Sequence, residues 1–290
     1  MKIRSMLFVP GDSRRKFDRA GAGEGQALAD ALILDLEDSV SPDQKQAARD
    51  CTRQMLQARG RQYLFVRINA FETGLSLDDL AAVMPMRPDG IVLPKCASGS
   101  QLQRLDHYLD AFESACGQAR GATGILPIAT ETAESLFGLQ TFKGVTPRLW
   151  GMMWGAEDLA ASLGAFENRD AGGHLETFRL ARNLCLAAAA SAGVVPVDTV
   201  YVDIEDLDGL REETLAARRD GFTAKAVIHP KHVAIVNQAL SPNPTDIAWA
   251  QRVVAAFEAD PGAGVVKMEG RMVDKPHLLK ARRILELAAT

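Results

Sequence analysis

Cysteine is scarce. There are four in 290 residues, Cys51, Cys96, Cys116 and Cys185, scattered and without a CxxC pair, and the five histidines do not cluster with them. That pattern excludes a disulfide framework and a thiolate zinc site. It points to a reducing, cytoplasmic compartment. Long apolar runs are missing too: no stretch approaches the roughly 20 apolar residues that cross a bilayer, so no membrane partner is expected. The start, "MKIRSMLFVPGDSRRK", has only about five apolar residues before Pro10 and Gly11, too few for a signal-peptide core, and it reads as a first strand. Positive charge is not in excess. The formal net charge of −4 excludes a general attraction to nucleic acid or anionic membrane. A Gly-rich phosphate loop after the first strand is also absent: Gly11 stands alone, and "GAGEG" (21–25) follows a helical segment. This weakens the doubly wound dinucleotide-type sheet as a reading.

What remains is a large apolar supply in short pieces. Hydrophobic residues make up 47% of the chain, enough for one sizeable α/β core. Eight short runs recur: "IRSMLFVP" (3–10), "ALILDLED" (31–38), "QYLFVRIN" (62–69), "DGIVLPK" (89–95), "GILPIAT" (124–130), "RLWGMMWGAED" (148–158), "PVDTVYVD" (196–203) and "AKAVIHP" (224–230). Most are apolar on both faces, as buried parallel strands are. Amphipathic segments separate them. In 41–59, Ser41 is placed to cap and Pro42 stands at the first helical position. The segment 174–193 ends on Gly193. Eight strand–helix repeats predict a (β/α)8 TIM barrel over residues 1–240. The turn-rich "SPNPTD" (241–246) then leads into a C-terminal extension, 241–290, with a helix at about 245–260. A barrel closes without this tail, so it reads as a lid, an oligomerisation arm, or both.

In such a barrel the C-terminal strand ends carry the chemistry. Those ends bring Asp35, Glu37 and Asp38; Arg67 and Asn69; Lys95; Glu131; Glu157 and Asp158; Asp198 and Asp203; and His229. This regularity points to an enzyme with oxygen-ligand chemistry. Mg²⁺ takes one or two carboxylates plus substrate oxygens, which Glu131 and Asp158 suit. Arg67 suits a carboxylate or carbonyl oxygen. Each residue also has a plain structural reading. Glu131 and Asp158 can serve as first-turn helix acids. Arg67 can pair with Glu37 or Asp38, and Lys95 can be structural. His229 reads as a turn histidine before Pro230, and Asp35 as a buried structural acid. Arg14, Arg15 and Lys16, with Arg19, form a basic helix face that is either solvated or a phosphate clamp.

The segments "RSMLFVPGD", "LILDLEDSV", "VRIN", "VLPK", "ATET", "GAED", "GFTAKAVIHP" and "MVDKP" occur in order from Ser5 to about Leu287. In this, the chain resembles the citrate lyase beta subunit family of the HpcH/HpaI aldolase group, whose relatives include malyl-CoA and citramalyl-CoA lyases. The resemblance implies a (β/α)8 barrel, Mg²⁺, a CoA-thioester substrate, and carbon–carbon cleavage yielding a 2-oxo acid, or the reverse condensation. It implies Glu131 and Asp158 as metal ligands, with Glu131 also meeting substrate, and Arg67 as the substrate-binding arginine. Glu37 and Asp38 would lie beside the metal with Lys95. Phe8, Arg14 and Arg19 would meet CoA. Asp274 would act as acid or base from a C-terminal lid. A homo-oligomer, trimer or hexamer, is the expected assembly. Two positions depart from the family pattern: Ala224, where glycine is frequent, and Val202-Asp203, where Ser-Asp is frequent. Both bear on substrate choice rather than on the reaction. A beta subunit working on an acyl-carrier thioester and a non-catalytic CoA-metabolite binder are the alternatives.

Overall fold

The structure is a computed structural model and describes residues 2–22, 27–260, 262–268 and 270–289. Parts of "GAGEG" and "PGAGVV" fall outside the described residues. The strands are β1 (Ser5–Pro10), β2 (Ala31–Asp35), β3 (Tyr63–Arg67), β4 (Gly90–Leu93), β5 (Gly124–Pro127) and β6 (Gly151–Met153). A two-residue ribbon follows, β7 (Arg169–Asp170) with β8 (Gly173–His174). Then come β9 (Val195–Asp198), β10 (Ala224–Val227), β11 (Val265–Met268) and β12 (Arg271–Asp274).

Eight strands form one parallel sheet in the order β5-β4-β3-β2-β1-β10-β9-β6. Its two edges meet through parallel bridges at Ile125–Leu149 and Ile128–Met153, so the sheet closes as a TIM barrel. All eight expected strands are present, and the observed strands are shorter than the apolar runs. The side-chain period of two fixes what fills the barrel. Met6, Ile33, Phe65, Val92, Leu126, Met153, Val197 and Ala226 share one core cluster. Register pairs Ile33 with Phe65, and two residues on, Asp35 with Arg67. The inward face that is apolar in the middle of the barrel therefore becomes charged at its C-terminal end.

Helices cover the outside. The 41–59 segment becomes a 3₁₀ turn, Pro42–Gln44, running into a helix, Lys45–Gln57. Ser41 occupies the cap position but does not cap with its side chain; its hydroxyl bonds the Asp43 carboxylate at 2.7 Å instead. Helix Glu176–Ala192 ends at Gly193, which takes the left-handed conformation that glycine tolerates (φ 72°). No helix among the described residues is long and apolar enough to cross a membrane.

Residues Ile3–Asn237 form one compact unit, and Gln238–Thr290 with the first two residues form a second. The second unit pairs helices Pro244–Ala259 and Lys275–Ala288 with the antiparallel ribbon β11–β12. Its core is Ala250, Val253, Phe257, Val273 and Ala281. Asn243 and Asp246 close a capping box at the start of its first helix.

Candidate functional site

A cavity of about 900 Å³ opens where the C-terminal ends of β1, β2, β6, β9 and β10 converge, and Asp35, Asp38, Arg67, Glu131 and Asp158 line it. Its floor is made of Phe8, Ile128, Met153 and Val200, which also belong to or pack on the barrel core. The floor is thus the top layer of the hydrophobic interior.

Arg67 is held before any ligand arrives. Asp35, directly opposite in register, accepts from Nε at 2.7 Å and from Nη2 at 2.8 Å. Glu37 Oε2 lies 3.0 Å from Nη1, although without hydrogen-bond geometry. The Phe8 ring sits 4.9 Å from the guanidinium carbon, a cation–π contact that fixes the plane of the fork. Burial works against the Asp35 carboxylate, yet the Arg67 hydrogen bonds keep it below the usual range. Glu37 is pushed up by burial, against the pull of Arg67 and Lys95. Two glycines make this packing possible. A side chain at Gly11 would meet the Asp35 carbonyl oxygen at 2.7 Å, and one at Gly155 would meet Glu131 Cγ at 2.8 Å.

Glu131 lies just past β5 and is 3% exposed. Burial and the neighbouring charge of Asp158 push its carboxyl up to about 8. Asp158 stands in the first turn of helix Glu157–Leu163. Lys95 links the two. Its backbone N–H donates to Glu131 Oε2 at 2.6 Å, and its ammonium lies 3.2 Å from Asp158 Oδ1 and 2.6 Å from Glu37 Oε1. Lys95 and Glu37 also line a neighbouring cavity of about 690 Å³; Asp38 lines both cavities. Two carboxylates, one of them dry and destabilised by the other, make a hard-cation donor set. A divalent ion there would reverse the repulsion that raises Glu131. The residues therefore fit Mg²⁺. Among the described residues, no group of three or more His, Cys, Asp or Glu side chains is arranged around a single point, so substrate oxygens and water would complete the shell.

Several expected site residues lie elsewhere. Arg14 does not line the cavity; it is exposed and paired with Asp18 at 2.7 Å, one helical turn away. Arg19, expected at the site, does line the cavity, as do Lys16 and His229. The phase of helix Arg14–Ala22, with Phe17 and Ala20 buried, separates these positions. Asp198 is not at the mouth. It points outward from β9 and is buried against Lys225 at 2.7 Å, Trp154 Nε1 at 2.7 Å and Arg182 at 3.5 Å. Asp203 caps a turn, accepting from the backbone of Glu205 and Asp206. Asn69 braces Asp79 and the Leu36 carbonyl. In the C-terminal unit, Asp274 ends β12 and caps helix Lys275–Ala288, with His277 on its carboxylate. That hydrogen bond holds the carboxylate below its ordinary range.

The HpcH/HpaI aldolase/citrate lyase family model matches residues 4–230, and a model of C–C bond lyases of the TIM-barrel fold matches residues 172–290. Citrate lyase subunit beta of Leuconostoc mesenteroides subsp. cremoris is 32% identical, across 98% of this chain and 93% of that protein. A (3S)-malyl-CoA thioesterase of Cereibacter sphaeroides is 35% identical, across 99% and 94%. Among solved structures, the CitE protein of Mycobacterium tuberculosis with magnesium, acetoacetate and coenzyme A superposes with a TM-score of 0.79 at 33% identity, covering 100% of this chain and 99% of that one.

Proposed function

The chain belongs to the HpcH/HpaI aldolase/citrate lyase family, and on that premise we propose that it is a Mg²⁺-dependent carbon–carbon lyase. It cleaves a 3-hydroxyacyl-CoA thioester of the malyl, citramalyl or citryl type into an acyl-CoA and a 2-oxo acid, or runs the reverse condensation. The observation that carries this reading is the buried Glu131 beside Asp158, facing the pre-formed Arg67 fork across one cavity. The magnesium-bound and CoA-bound CitE relative supports the ion and the thioester.

Glu131 and Asp158 would hold the ion, with Glu37 and Asp38 beside it. When bound, the ion supplies positive charge to the oxygens of the 2-oxo acid portion. Arg67 stabilises oxygen charge as the bond breaks, a contribution worth about 3–4 kcal/mol for one well-aimed donor. Phe8 and Asp35 keep that fork from turning. In cleavage, the substrate hydroxyl passes its proton to water, the carbon–carbon bond breaks, the electron pair passes into the thioester enolate, and the enolate takes up a proton at carbon. Asp274 is the acid or base that the resemblance implies, and it would carry the proton to the enolate carbon in cleavage and remove it in condensation. Lys16 and Arg19 offer positive charge to the phosphates of CoA. A cytoplasmic homo-oligomer, trimer or hexamer, completes the reading, and light scattering checks the assembly.

The test is incubation of purified protein with malyl-, citramalyl- and citryl-CoA, followed by chromatography, with Mg²⁺ and with EDTA. Acyl-CoA and 2-oxo acid should appear together and only with Mg²⁺. Free CoA without the 2-oxo acid would mean hydrolysis, the activity in the name of the Cereibacter relative. No turnover of any of the three would overturn the proposal.

A further inference from the structure

Lys95 combines three features at one position. It is one of two non-glycine residues among those described with positive φ (52°), a conformation that side chains other than those of Asn and Asp rarely adopt. Its backbone N–H holds Glu131. Its ammonium faces three carboxylates: Glu37 at 2.6 Å, Asp158 at 3.2 Å and Asp38 at 3.7 Å. A residue kept only to neutralise charge would need neither the strained backbone nor the contact to Glu131.

The charge inventory around it is uneven. Glu37, Asp38, Glu131 and Asp158 bring four carboxylates. Arg67 gives Nε and Nη2 to Asp35 and turns Nη1 to Glu37 at 3.0 Å, and Lys45 bonds the Leu36 and Glu37 carbonyls, so the cation paired with Asp158 is Lys95. The Lys95 ammonium therefore supplies positive charge beside Asp158, one of the two carboxylates assigned to the ion. Its contacts are also unequal. The Glu37 side chain is 6% exposed and the contact short, whereas Asp158 is 32% exposed and the contact longer. A drier, shorter ion pair is the stronger one.

Resting on the reading of Glu131 and Asp158 as the metal ligands, we propose that Lys95 is a built-in stand-in for the divalent cation. Its ammonium holds Asp158 in place, yields it to an arriving ion, and stays on Glu37. Its backbone keeps Glu131 aimed throughout. Lys95 and the metal thus compete for one carboxylate, and the site is pre-shaped at the cost of some metal affinity. Lys95 is a positioning residue in this scheme.

Competition gives a signed test. In the full-length protein, Lys95→Met removes the charge and keeps the length. Calorimetric titration with MgCl₂ alone should show binding tighter by about tenfold than wild type, the order expected for removing one nearby like charge. Turnover of the thioester substrate should fall at saturating Mg²⁺, because Glu37 and Asp158 lose their common brace. Lys95→Arg, which keeps the charge, should bind Mg²⁺ like wild type. A merely structural role would weaken metal binding and turnover together. Unchanged or weaker Mg²⁺ binding in Lys95→Met overturns the proposal. If that variant does not fold, Lys95→Asn, which favours the left-handed backbone, must show the same tightening or the proposal fails. Failure of the wild-type protein to bind Mg²⁺ would be a different result: it would remove the metal assignment itself, and this proposal with it.

Discussion

Two buried charge clusters in the barrel unit make opposite use of similar residues. Outside the strands, beneath helices Glu176–Ala192 and Leu207–Asp220, Lys225 is fully buried and bonds Asp198 at 2.7 Å and Glu213 at 3.0 Å. Asp198 has Trp154 and Arg182 as further partners. Every charge there has its opposite. At the inner, C-terminal end, Asp35, Glu37, Asp38, Glu131 and Asp158 outnumber Arg67 and Lys95. The balanced cluster holds the helices to the sheet. The unbalanced one keeps a deficit that a cation and an anionic substrate can fill together. Charge balance, more than burial, separates structure from chemistry in this barrel.

The comparison can be broken from the structural side first. Lys225→Met should cost about 3–5 kcal/mol of stability, since it strands Asp198 in the interior. Urea denaturation measures it, and a loss under about 1 kcal/mol would mean that the cluster is not closed. Glu131→Gln should do the reverse: lower kcat by about 100- to 1,000-fold while leaving the metal-free protein at least as stable. The same variant carries a pH signature. The Glu131 carboxyl is raised from 4.5 to about 8. Between those values the folded, metal-free protein holds a proton that the unfolded chain has lost, so stability falls as pH rises through this window. In Glu131→Gln that slope should flatten, which thermal melts from pH 5 to 8 in EDTA would show. Smaller again is Arg67→Lys. It should cut kcat/KM by about 100-fold through loss of the planar fork, with a stability loss of about 1–2 kcal/mol from one missing charged hydrogen bond to Asp35. The smallest effects come at the basic helix. Arg14→Ala should leave KM unchanged, because its exposed pair with Asp18 contributes under about 1 kcal/mol. Lys16→Ala should raise KM for the thioester several-fold.

The eight strands and the C-terminal helix near 245–260 were legible because apolar runs and turn residues are local signals. So was the gathering of Arg67, Glu131, Lys95 and Asp158, through strand-end position alone. Pairing across the barrel was less legible. That Asp35 takes the Arg67 fork follows from register, which no single strand states. Asp198 was assigned to the wrong side of the wall. Its parity was readable in principle: Val195 and Val197 alternate inward, which turns Asp198 outward. Arg14 and Arg19 come from the resemblance alone, and a run of basic residues does not show its helical phase; Phe17 and Ala20 set it. The left-handed backbone of Lys95 had no signal at all, since that conformation usually announces itself by glycine or asparagine.

The shared floor has a further consequence. Phe8, Ile128, Met153 and Val200 both line the cavity and cap the barrel interior. Enlarging the site for a bulkier ligand therefore means removing atoms from or against the core, and a large-to-small change at the buried Ile128 or Met153 costs about 2–5 kcal/mol. Divergence toward new ligands is coupled to thermal robustness. A lineage or an engineer widening this specificity would need stabilising changes elsewhere first, and the balanced cluster beneath the helices is a poor place to seek them.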